Sequence, residues 1–168
     1  AGEVGELRDV AAPQFESGAD REGVARDITT QYPTDDETVA SAIGPIERQV
    51  ESGAPIPTAD RLVLEGSPRQ VTLNTCYGHR VNETIGRLLS ALVGQRTGSS
   101  VGMEVDPYRV EFDVPGKVSP TTFAEVLRET DPEHVDALLE LALKRSDSLK
   151  FTLAQVAAKF GTLKRYQG

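Results

Sequence analysis

Chemistry-bearing side chains crowd one short stretch, Leu73-Asn74-Thr75-Cys76-Tyr77-Gly78-His79-Arg80-Val81-Asn82-Glu83, which holds the only cysteine of the chain and one of its two histidines. A thiolate and an arginine on one loop could ring a phosphate with backbone amides. The three residues between Cys76 and Arg80 are too few for such a cradle. A structural zinc needs about three or four Cys or His ligands; Cys76, His79 and His134 are the candidates, and no second Cys/His pair follows. A Cys–His nucleophile would need His134 brought to Cys76 by the fold. His134 stands beside Glu133 at a helix start and reads as a surface residue. Gly94-Gln95-Arg96-Thr97-Gly98-Ser99-Ser100 is glycine-rich, but its glycines sit one residue too close for a phosphate loop and Ser99 holds the lysine position. Asn82-Glu83-Thr84 matches a glycosylation sequon inside an expected helix and is discounted.

What remains is a strand, a sharp turn at Gly78, and a helix whose first turn is expected to point His79, Arg80 and Asn82 outward. Amides at a helix N-terminus are anion donors. Tyr77 offers a stacking face, Arg80 a forked phosphate donor, and Asn82 an amide for a base or sugar. These residue types suit a nucleic-acid backbone better than a reaction. A purely structural reading stands beside it: Asn82 caps a turn, Tyr77 packs, and Arg80 pairs with Glu104 or Glu111.

Around this stretch the hydrophobic period changes twice. Residues 1–20 read as a short helical piece, GELRDV, then a polar linker with Pro13 and Gly18, an arm from an upstream domain. Residues 21–168 read as one domain. Residues 21–31 have helical spacing, and a helix from Thr34 opens with a Thr34–Glu37 capping box, kinks at Pro45 and stops at Gly53. Residues 60–66 and 69–76 then alternate as a hairpin, with Val71, Leu73 and Thr75 on one face. Val81, Ile85, Leu88, Leu89 and Leu92 give the next helix its apolar stripe. Residues 94–102 read as a loop, and residues 101–116 as two strands around Asp106-Pro107. Helices follow from Ser119-Pro120, from Asp131-Pro132 with Val135, Leu138, Leu139 and Ala142 inside, and over 149–160 with Phe151, Val156 and Phe160 inside and Gly161 as the stop. The class is α+β: a strand-rich mixed sheet around one central amphipathic helix, flanked by N- and C-terminal helices.

Net charge is −8, with 13 arginines against 5 lysines, a balance that suits a chain kept soluble in concentrated salt, as in a halophilic archaeon. The total hides an asymmetry: residues 71–102 carry a net +2 and residues 144–168 a net +5, while residues 1–60 carry −9. The second basic strip holds Lys159, Lys164, Arg165 and Tyr166. No run is long enough to cross a membrane and no signal peptide is present, so a cytoplasmic place without membrane contact is expected.

The blocks LNTCYGHRVNETIGRLLSALV, VDPYRVEF and LKFTLAQVAAKFG resemble the DEAD/H-associated region of the large helicase-related (Lhr) family of superfamily 2 helicases. The resemblance covers roughly residues 30–165 and is carried by Tyr77-Gly78, Val81-Asn82, Asp106-Pro107-Tyr108 and the helix from Phe151 to Phe160, with IPTADRLVLEG (56–66) like the family's entry strand. It implies an accessory, non-catalytic domain of an ATP-dependent helicase acting in DNA repair. The domain would lie downstream of motor and winged-helix domains and help enclose single-stranded DNA or a DNA–RNA hybrid. ATP and Mg²⁺ would belong to the motor, with no cofactor here. On this reading Tyr77, His79, Arg80, Asn82, Arg87, Arg96, Tyr108, Arg109, Lys159, Lys164 and Arg165 are the nucleic-acid-binding residues. The chain departs from an aromatic-rich contact surface in having no tryptophan. The competing reading is a scaffold that positions the motor without touching DNA, its working faces the acidic helices at 21–53 and 119–143, marked by an exposed apolar patch.

Overall fold

A computed structural model describes residues 1–145 and 147–160. Three helices lead: α1 Gly2–Glu16, α2 Arg21–Thr29 and α3 Asp36–Glu51. The sheet and its crossover follow as β1 Val63–Ser67, β2 Gln70–Asn74, α4 His79–Thr97, β3 Gly102–Val105 and β4 Arg109–Asp113. Then come α5 Pro120–Glu129, a 3₁₀ turn Pro132–His134, α6 Val135–Arg145 and α7 Asp147–Lys159.

The strand order is β1-β2-β4-β3, and each neighbouring pair is antiparallel. β1 and β2 close through Pro68 and Arg69, with Ser67 opposite Gln70. The register sets Val71 opposite Phe112, Leu73 opposite Val110, Met103 opposite Phe112 and Val105 opposite Val110. Side chains alternate along a strand, so these six share one face. That face packs against Leu89 and Val93 of α4 and Phe123 and Val126 of α5. Phe112 and Phe123 meet with ring centroids 4.6 Å apart. The opposite face carries Glu65, Thr72, Glu104, Glu111 and Asp113 and is exposed or half-buried.

A second core joins α1, α2 and α3 around Ala11, Phe15, Val24, Ile28, Ile43 and Ile46, with Ile56 of the connecting segment. Residues 2–16, expected to break into a linker near Pro13, instead form one helix. Leu7, Ala11 and Phe15 recur every four residues and put Ala11 and Phe15 in the core. A proline inside a helix costs about 3 kcal/mol, and this burial offsets it. α3 runs on through Pro45 in the same way. Its cap shifts one residue from expectation: Asp35, not Thr34, accepts from the Thr38 amide at 2.8 Å. Residues 94–97, expected as loop, are the last turn of α4, which ends at Gly98 in the left-handed conformation, φ 65°. Phe151, Val156 and Phe160, expected inside, are exposed. Gly161 lies outside the described residues.

Candidate nucleic-acid interface

The chemistry-bearing stretch lies where β2 ends and α4 begins. Gly78, at φ 87°, makes the turn that a side chain would strain, and it leaves α4 with no side-chain cap and no acidic residue in its first turn. The first-turn amides are therefore donors without a side-chain cap. The β3–β4 turn lies alongside: the Thr75 amide donates to the Tyr108 carbonyl at 2.8 Å and the Gly78 amide to the Pro107 carbonyl at 3.1 Å. This lacing brings Tyr77, His79, Arg80, Tyr108 and Arg109, separate in sequence, to one end of the domain. Tyr77 and Tyr108 are 37% and 40% exposed, and His79 and Arg80 are exposed.

Asn82 does not point outward. It is 0% exposed, accepts from the Thr75 hydroxyl at 2.6 Å and donates to the Asp106 carbonyl at 2.9 Å. It pins α4 to both neighbouring segments and cannot reach a ligand. Val81, read as part of the inner stripe, takes the exposed position instead. The first turn is thus rotated from expectation, because a buried amide satisfied twice outweighs a marginal valine contact.

Three of the expected arginines are held by carboxylates. Arg87 pairs with Glu83 at 2.7 Å. Arg96 bridges α4 to α5 through Glu125 at 3.0 Å and Glu129 at 2.6 Å. Arg109 meets Asp106 at 2.9 Å and Glu111 at 3.1 Å. Arg80 makes no side-chain hydrogen bond or ion pair among the described residues, and Glu111 is engaged by Arg109 and Gln70. Arg96 also stands about 24 Å along the helix from Arg80, at the 1.5 Å rise of an α-helix. Lys159 is exposed on α7, which packs against α6. Lys164, Arg165 and Tyr166 lie outside the described residues.

Sequence reasoning missed Arg8, Thr75 and Asp106 as supports of this region. Asp106 accepts from the Tyr108 and Arg109 amides at 2.7 and 2.9 Å, which shapes the turn. Arg8 reaches the Pro57 carbonyl at 3.2 Å and the Cys76 sulfur at 3.4 Å. Cys76 is buried against α1 as a small filler. Gly98-Ser99-Ser100-Val101-Gly102 matches G-x-S-x-G. It runs from α4 into β3, the reverse of the strand-to-helix turn that exposes a nucleophile. The cleft that Tyr108 and Arg109 share with Arg8 and Asn74 measures about 190 Å³, below the several hundred Å³ typical of a small-molecule pocket. Among the described residues no group of three or more His, Cys, Asp or Glu could hold a metal ion, and no helix is long and apolar enough to cross a membrane.

The family model described as DEAD/H associated matches residues 56–168, two thirds of the chain. The chain belongs to the DEAD/H associated family. It is also 26% identical, over 99% of its length, to the ATP-dependent helicase Lhr-Core of Methanothermobacter thermautotrophicus. It spans 20% of that helicase. No solved structure matches it at a significant level. The matched segment contains the sheet, α4 and the whole 75–109 cluster, while α1, α2 and α3 precede it. This is a helicase-associated domain, and its two laced turns bring Tyr77, His79, Arg80 and Tyr108 together as exposed residues.

Proposed function

We propose that this domain lines the path of a single nucleic-acid strand in an ATP-dependent helicase of the Lhr type, with its contact surface at the α4 N-terminus. The observation that carries the reading is Arg80: an exposed residue whose side chain has no partner among the described residues, in the uncapped first turn of α4, at the end of the domain where Tyr77 and Tyr108 are also exposed. The guanidinium and amides would hold phosphate, and Tyr77 or Tyr108 would stack on a base, a contact worth roughly 1–3 kcal/mol. Arg87, Arg96 and Arg109 contribute less on this reading, because nearby carboxylates neutralise their charge. ATP and Mg²⁺ are bound by motor domains elsewhere in the helicase, and the partner is single-stranded DNA or a DNA–RNA hybrid in the cytoplasm.

Fluorescence anisotropy of a labelled single strand across a potassium chloride series tests this. Log affinity should fall linearly with log salt. Arg80→Ala should weaken binding for all sequences alike and reduce the salt slope by about one. Arg96→Ala should change neither. Equal affinity of the Arg80→Ala and unsubstituted proteins would remove the assignment.

One observation supports the scaffold reading as well. Leu141 of α6, within the acidic helices at 119–143, and Phe151, Leu153, Val156 and Phe160 of α7 and the residue after it are exposed apolar side chains.

A further inference from the structure

The strand register lays Val63, Asn74 and Arg109 side by side across β1, β2 and β4 on the open face of the sheet. Glu65 stands two residues after Val63 and shares that face. Val63 is nevertheless buried, and it lines a cleft together with Pro55 and Pro57 of the segment that joins α3 to β1. Arg8 Nη1 donates to the Pro57 carbonyl at 3.2 Å and Gln49 Nε2 to the Pro55 carbonyl at 2.8 Å, which fixes that wall. Arg8, Gln49 and Pro55 precede the matched family segment, so the sheet does not complete the cleft by itself. Tyr108 also lines it and is 40% exposed, so the cleft adjoins the strand contact proposed above.

Size and charge select what fits. The cleft measures about 190 Å³, the space of about six waters at about 30 Å³ each, which is room for one flat ring and too little for a whole nucleotide. Arg109 is already held by Asp106 and Glu111. Arg8 and Glu65 then balance, and a near-neutral cleft suits an uncharged ring better than a phosphate. Among the described residues the Asn74 carboxamide and the Glu65 carboxylate make no hydrogen bond or ion pair. Glu65 can only accept, while Asn74 can donate and accept. Cytosine presents an N4 amino donor where thymine presents the O4 acceptor and a methyl group. We propose that this cleft takes one unstacked base of the bound strand and selects a base with an exocyclic amino group. Glu65 and Asn74 read that group and Tyr108 stacks on the ring. This rests on the strand-binding reading above and adds a base preference to it.

Anisotropy of labelled oligo(dC) and oligo(dT), of one length and at one salt concentration, is measured on the 168-residue protein. The two strands share a backbone and have single-ring bases, so the group at C4 is their main difference. Oligo(dC) should bind about tenfold more tightly, the discrimination of a good base contact. Asn74→Ala should bring the ratio of the two affinities towards one. Glu65→Lys, at an exposed position, puts a donor in place of the acceptor and should invert the ratio, whatever the new charge adds to both affinities. Arg80→Ala should weaken both strands alike and keep the ratio. Equal binding of oligo(dC) and oligo(dT) would overturn the base cleft and leave the strand contact standing. A preference unchanged in Glu65→Lys would also overturn it, in favour of stacking strength or strand flexibility as the source. No binding of either strand would overturn both readings together.

Discussion

A side-chain amide buried among apolar atoms is favourable only when its hydrogen bonds are made. Asn82 makes one to the Thr75 hydroxyl and one to the Asp106 carbonyl. Asn82→Ala removes the acceptor of the buried Thr75 hydroxyl and the donor to the Asp106 carbonyl and should destabilise by about 1–3 kcal/mol in urea unfolding. A loss of strand binding in that variant would report lost positioning, because the amide itself faces inward. Charged groups at the helix starts act through protonation. Asp35 is held below its ordinary 3.8, first by the Thr38 amide and then by the Thr38 hydroxyl. Glu83 is held below its ordinary 4.5, first by its hydrogen bond to Arg87 and then by the charge of that arginine. A depressed carboxylate stabilises the fold above its unfolded value, and that stability is lost as pH falls through the folded value. Thermal stability should therefore drop as pH goes below 3.8 for Asp35. Asp35→Asn keeps an acceptor without titrating, so it should flatten the acid limb of Tm against pH. An unchanged limb would assign the acid sensitivity elsewhere.

Helix α4 is the element on which the domain turns. Its inner side packs on the sheet, its first turn is fixed by Asn82, and its last turn is tied to α5 through Arg96. Most of its stripe was legible from period alone: of the expected residues Leu88 and Leu89 are buried and Ile85 and Leu92 half-buried, while Val81 is exposed and buried Val93 was not expected. The β2 face was legible for the same reason: Val71, Leu73 and Thr75 are all buried. The first half of α1 was legible as GELRDV; its run through Pro13 was not, because Pro13 and the polar residues around it outweigh a short apolar stripe when only local propensity is consulted. Gly5 shows how closely α1 is seated. A Cβ there would lie 2.8 Å from the Cys76 Cβ and 3.0 Å from the Ala59 amide nitrogen. Gly5→Ala should cost about 1–3 kcal/mol through overpacking, with faster exchange of the α1 amides. An unchanged urea midpoint would mean that residues 1–20 are the detachable arm their composition suggests.

The whole molecule is acidic, with net charge −8, and its open sheet face adds Glu65, Glu104, Glu111 and Asp113 against Arg109. That face repels a phosphate backbone, which agrees with the proposed strand contact at the end where Arg80 lies. Salt has opposite effects on the two properties. Raising potassium chloride from about 0.1 to about 1 M shortens the screening length from about 10 to about 3 Å, so Tm should rise as carboxylate repulsion fades while strand affinity falls. A Tm that fell with salt would show that ion pairs such as Arg96 with Glu129, not repulsion, dominate the surface. The sequence by itself determined the α+β class, the strand-turn-helix at 71–92, the Asp106-Pro107 turn and the family resemblance, because each depends on local period or on residues adjacent in the chain. Glu83 stands four residues before Arg87 and Asp106 three before Arg109, so those pairs were open to local spacing. Only the tertiary structure decided that Arg96 is held, because the packing of α4 on α5 brings Glu125 and Glu129 to it. It also decided that Asn82 turns inward and that the α7 stripe faces out, since burial depends on packing partners distant in the chain and a hydrophobic period shows only that a face exists.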